Sequence, residues 1–231
     1  MSETQSPASR GSHPSIPFVA PFVVYVGLLA IERAASLPTV WWYPIRCLAT
    51  LATLLAVSRQ VASFRASKPW ASAAVGVAVF LIWIAPDLVF GPGYRHFWLF
   101  ANSLTGNAAS SAPEALRGNS WFIVTRVLGC ALLVPPVEEI FWRGWLIRWM
   151  QHHDFLGIPL GAYTRVAFWT TAALFAAEHG PYWEVGLGAG IVYNWWIGRT
   201  KTLGDVTVAH AVTNALLSAY VLLSGQWQYW M

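Results

Sequence analysis

The chain has 231 residues and a formal net charge of +4, and it is 56% hydrophobic but only 10% charged. A soluble domain carries about 25% charged residues, so the composition excludes an ordinary soluble globule and points to a polytopic membrane protein, with the lipid bilayer as its surroundings. Fifteen tryptophans suit a chain with many turns at the lipid–water interface, and the lack of a Gly-rich phosphate loop, zinc-finger spacing or basic–aromatic patch argues against a nucleic-acid partner.

Residues 1–15 are polar and Pro/Ser-rich and read as a disordered tail. The first apolar run, Ile16–Ile31, ends at Glu32-Arg33. Only Arg10 is basic before it and Ala34-Ala35-Ser36 is a poor cleavage site, so it reads as an uncleaved spanning helix rather than a signal peptide. A second run covers Val40–Val57 with Arg46 inside it, and a third covers Trp70–Phe90 up to a stop at Gly91-Pro92-Gly93. Residues 91–118 form a Gly/Ser/Asn loop, long enough for a short interfacial helix.

The fourth run extends from Ser120 to Met150, too long for one simple span of about 20 residues. Pro135 and Pro136 are expected to kink or restart it. Run five is Arg165–His179, run six Trp183–Ile197 and run seven Val206–Leu223. Gly186, Gly188 and Gly190 in run six permit close helix packing. The tail, Gln226 to Met231, reads as an interfacial aromatic anchor, and Cys47 and Cys130 read as small buried packers. The fold class expected is all-α, a single transmembrane domain over 16–231 with seven to eight transmembrane helices. The excess of Arg and Lys in the tail and in the loops after runs two, four and six sets the N-terminus in the cytoplasm.

Three polar clusters interrupt the apolar runs: Glu138-Glu139 with Arg143, Phe175 with His179, and His210 with Asn214. Charged groups inside a membrane are costly and mark function by default. At about 1.5 Å of rise per helical residue, Glu138 lies ~15 Å from the cytoplasmic edge, His179 ~21 Å, His210 ~13 Å and Asn214 ~20 Å. All fall in one band of a hydrocarbon core about 30 Å thick.

Glu139 and Arg143 are spaced i, i+4 and can pair, which leaves Glu138, about 100° around the helix, to face a cavity. A glutamate in such a place suits general-base activation of water. His210 and Asn214 share one helix face and could donate to a developing oxyanion. Each cluster also has a bland reading: Glu139–Arg143 as an ion pair fixing a helix, His179 as a structural histidine, and His210–Asn214 as a helix–helix hydrogen bond.

Glu138-Glu139-x-x-x-Arg143, Phe175-x-x-x-His179 and His210-x-x-x-Asn214, taken in order over about 120–223, resemble the motifs of the CAAX-processing and bacteriocin-processing intramembrane proteases. This Abi, or CPBP, family includes the Ras-converting type of prenyl-protein endopeptidase. The resemblance implies that Glu138 activates water with His179 helping to hold it, that His210 and Asn214 stabilise the oxyanion, and that Glu139 and Arg143 support the site. It implies a membrane-associated protein or peptide as substrate. Glu178 departs from the small or apolar residue of many relatives and either tunes His179 or faces away. Tyr193-Asn-Trp-Trp196 and the aromatic tail look like a bacterial subgroup that accompanies exosortase systems, for which a prenylated CAAX substrate is not expected.

Both metal-free glutamate chemistry and zinc chemistry are argued for that family. Glu138, His179 and His210 could form a three-ligand zinc site with an open position, although there is no H-E-x-x-H helix. Two other functions compete with an endopeptidase: a non-catalytic immunity or scaffold protein that keeps the motifs as packing, and an ion or proton transporter.

Overall fold

The computed structural model describes residues 13–61, 63–91 and 93–230. Most of the expected N-terminal tail, residues 1–12, lies outside the described residues. Among the described residues the chain forms seven longer helices, five short 3-10 turns and no strand. They are α1 (Ile16–Ala34), α2 (Thr39–Ser58), α3 (Pro69–Phe90), α4 (Ser120–Trp149), α5 (Arg165–Ala177), α6 (Trp183–Thr200) and α7 (Leu203–Ser224). The all-α class therefore holds.

Five of these helices, α1 to α4 and α7, are long and apolar enough to cross a membrane. The expected seven to eight crossings also counted the runs of α5 and α6. With 13 residues, α5 is shorter than the roughly 20 a span needs. The 18 residues of α6 include Glu184, Asn194 and Arg199. Packing of α6 against α3, α5 and α7 turns much of its surface to protein, where such groups can find partners.

Close approach between helices follows from small residues. A side chain at Gly76 of α3 would collide with the Ala209 carbonyl of α7, and one at Gly190 of α6 would press on the Ala172 backbone of α5. At the end of the bundle where α1 begins, buried Asp205 accepts hydrogen bonds from the backbone N–H groups of Ser67 and Lys68 and from the hydroxyls of Ser67, Ser72 and Thr202. Thr202 in turn caps α7 by accepting from the Asp205 N–H. These bonds pin the loop before α3 to the start of α7.

Two expectations are corrected. The long helix α4 does not restart at the prolines: it runs 30 residues without a break and absorbs them with wide π-helical turns at Gly129–Leu133 and Ile140–Leu146. A π turn moves the backbone bonds from i−4 to i−5, so the helix continues past residues that have no N–H to give. Nor is the aromatic tail an interfacial anchor, because Tyr229 and Trp230 are buried. The Tyr229 hydroxyl donates to Asp87 at 2.6 Å and the Trp230 carbonyl accepts from Ser111 N–H at 2.7 Å. The tail thus closes one end of the bundle.

Candidate active site

The π turn before the prolines prepares the site. Val134 N–H donates to Gly129, five residues back, and Pro135 then has no N–H for the carbonyl of Cys130. A carbonyl left without its helical partner seeks another donor. Asn214 of α7 supplies it, with Nδ2 at 2.9 Å. An asparagine amide carries two hydrogens, so this bond fixes the side chain and leaves a second N–H for the interior.

One turn beyond the prolines, Glu139 is completely buried. Its Oε1 accepts from Arg143 at 3.1 Å, the expected i, i+4 pair, and also contacts Nδ1 of His210 at 2.8 Å. Arg143, equally buried, donates Nε to Asn194 Oδ1 at 3.0 Å and reaches the Gly190 carbonyl at 3.4 Å. The guanidinium lies over the Phe175 ring, 4.6 Å from its centre. The amide of Asn194 is itself anchored by donating to the Phe168 carbonyl. Asn194 was not among the expected site residues, although a polar amide inside the apolar Tyr193-Asn-Trp-Trp196 stretch is the same kind of signal that singled out Asn214. Tyr193 was missed as well: its ring stacks on His210 at 5.0 Å and its hydroxyl bonds Thr213 at 2.8 Å.

Glu138 stands apart from this network. Its side chain is 15% exposed, its Oε2 has no hydrogen-bond partner, and the nearest cationic atom is His210 Nε2 at 4.0 Å. His210 therefore bridges the two carboxylates, Nδ1 on Glu139 and Nε2 toward Glu138. His179 turns its Nδ1 to the Phe175 carbonyl at 2.7 Å, its ring packed against Trp83 and Phe175. That bond is to its own helix rather than to Glu138. Glu178 faces the cavity, within electrostatic reach of Glu138.

A cavity of about 1100 Å³ unites these groups, lined among others by Glu138, Trp142, Glu178, His179 and Asn214. Cys130 lines it too and is half-buried, as is Cys47. The structure thus brings together all six expected site residues, with Glu139, Arg143 and His210 buried behind the wall that Glu138 and Asn214 present. Among the described residues, no group of three or more His, Cys, Asp or Glu side chains converges as metal ligands. His179 and His210 each commit Nδ1 to an oxygen, which leaves Nε2 as the ring nitrogen available to other partners.

Residues 119–216, which hold every one of these groups, match the family model described as type II CAAX prenyl endopeptidase Rce1-like. This segment is similar to the Rce1-like family. Comparison with curated proteins and with solved structures returned no match. The Rce1-like segment starts at the head of α4 and ends inside α7, so it contains α4, α5, α6 and the part of α7 that carries His210 and Asn214. The family points to a CAAX-type intramembrane protease, a hydrolase acting on a protein or peptide.

Proposed function

We propose that the protein is an intramembrane endopeptidase that hydrolyses a peptide bond of a membrane-associated or lipidated protein, using Glu138 as the base. The observation that carries this reading is the division of labour between two adjacent carboxylates. Oε1 of fully buried Glu139 takes both Arg143 and His210, and its Oε2 stays unpaired behind the wall, whereas Glu138 lines the cavity with its own Oε2 unpaired. A partnerless carboxylate oxygen on a cavity wall is placed to take a proton from water.

In this mechanism Glu138 removes a proton from a water molecule in the cavity, and the resulting hydroxide attacks the scissile carbonyl carbon. The oxyanion is met by the free N–H of Asn214 and by the His210 ring, whose Nδ1 is bonded to Glu139. The proton on Glu138 then passes to the leaving nitrogen as the C–N bond breaks, giving a carboxylic acid and an amine. Arg143 and Asn194 are positioning residues: they hold Glu139, which holds His210. His179 and Glu178 flank the space that the scissile bond occupies.

The test compares membrane and secreted proteomes of cells carrying the wild-type chain or Glu138→Gln. Cleavage fragments present only with wild type, at equal protein abundance, are the expected result; identical fragment sets sink the reading. If Glu138→Gln and His210→Ala both keep the biological phenotype, a non-catalytic scaffold replaces it.

A further inference from the structure

The two ends of the bundle differ in charge and in access to the site. One end holds the start of α1, the loops 59–68 and 150–164, and the α6–α7 turn. It carries Arg59, Arg65, Lys68, Arg165, Arg199 and Lys201. The other end holds the connections 35–38 and 91–119, the turn after α5 and the C-terminal tail. Its basic residues are Arg33, Arg95 and Arg117. Arg95 is tied to Asp87 at 3.0 Å and Glu184 at 2.6 Å, so it adds little net charge. Basic loops stay in the cytoplasm, which places the second end outside.

The cavity belongs to that second end. Its mouth is lined by Ser36 and Thr39 between α1 and α2, by Thr105, Asn107 and Ser111 of the long loop, and by Trp230 of the tail. No described residue of the basic-end loops 59–68, 150–164 or 201–202 lines it. From this mouth the space descends to Glu138 and Asn214, passing Phe22, Val26 and Leu29 on the α1 wall. The rim thus offers hydroxyls and an amide that can hydrogen-bond an extended peptide, beside Glu32 and Arg33 at the end of α1, while deeper along α1 one wall is apolar. At about 1100 Å³ the cavity exceeds the roughly 300–1,000 Å³ of small-molecule pockets, room for a stretch of polypeptide.

We infer that the site is reached from the extracytoplasmic face, and that its substrate is the membrane-proximal segment of an anchored or exported protein on that face. A prenylated C-terminus with its polybasic segment sits at the cytoplasmic leaflet, the wrong side for this mouth. The inference rests on the endopeptidase reading for the word substrate, whereas the sidedness of the mouth stands without it.

The test places single cysteines in a Cys47→Ser, Cys130→Ser background of the full chain: Asn107→Cys at the mouth and Gln60→Cys at the basic end, both exposed. A membrane-impermeant maleimide should label Asn107→Cys in intact spheroplasts and leave Gln60→Cys unlabelled, with the pattern reversed in inside-out vesicles. Fragments lost in Glu138→Gln cells should all map to extracytoplasmic segments. Labelling of Gln60→Cys from outside, or Glu138-dependent fragments from cytoplasmic segments, overturns the sidedness and leaves the protease standing. Loss of no fragment in Glu138→Gln removes the protease reading, while the labelling still decides the side.

Discussion

Asn214 donates its side-chain amide to the carbonyl of Cys130 at 2.9 Å, joining α7 to α4. That carbonyl is available because Pro135, five residues on, has no N–H to offer it. A proline pair in one helix thereby sets the orientation of an amide in another.

Pro135→Ala tests the relationship. The new N–H competes for the Cys130 carbonyl and lets the Asn214 amide rotate. Cleavage should fall about 10- to 100-fold, the penalty of a small misplacement of a reacting group, while helicity by circular dichroism stays near wild type. Unchanged kcat would mean that Asn214 is held by something else.

Asn214→Ala removes the donor itself. Loss of one oxyanion donor lowers kcat by about 10²- to 10³-fold. The substrate KM should stay close to wild type, because the bond matters in the transition state. A rise in KM with kcat intact would assign Asn214 to substrate binding instead.

Arg143→Ala leaves Glu139 buried with an uncompensated charge. Breaking such a pair costs about 3–5 kcal/mol, and thermal melting in detergent should drop by roughly 10 °C. Arg143→Lys should rescue it poorly, since a single ammonium does not reproduce the fork to Glu139, Asn194 and the Gly190 carbonyl. A lysine variant as stable as wild type would reduce Arg143 to a point charge.

Gly186→Ala adds a methyl 3.2 Å from the His179 ring and 3.3 Å from the Ala176 backbone. The ring is the softer neighbour and should shift, at a stability loss of about 1–3 kcal/mol. Cleavage should decline more than melting temperature does. Activity that tracks stability alone would remove His179 from the site.

Chelation of the purified protein should leave Glu138-dependent cleavage intact, since no group of three or more His, Cys, Asp or Glu side chains converges among the described residues. Loss of activity with chelator, restored by zinc, would show that the side chains rearrange to bind it.

The helical repeat made much of this legible in advance. The spacing of Glu139 and Arg143 predicts their pair and turns Glu138 to a different face, and both hold in the structure. Apolar runs predict the spanning helices, which surface contact with lipid requires. Harder to read were the places where a residue's partner lies far along the chain. The tail aromatics look like interfacial anchors by composition, yet Tyr229 finds Asp87 and turns inward. The prolines look like a break, yet a π turn carries α4 through them.

Composition and i, i+4 spacing are local properties of the chain, so they suffice for the helical class, the two-carboxylate motif and the identity of the glutamate that faces the cavity. Contacts between helices depend on crossing geometry, which no local pattern encodes. Packing alone determined that His210 leans on Glu139 while facing Glu138, that Asn194 completes the arginine's shell, that Glu178 joins the cavity, and that the cavity opens at the less basic end.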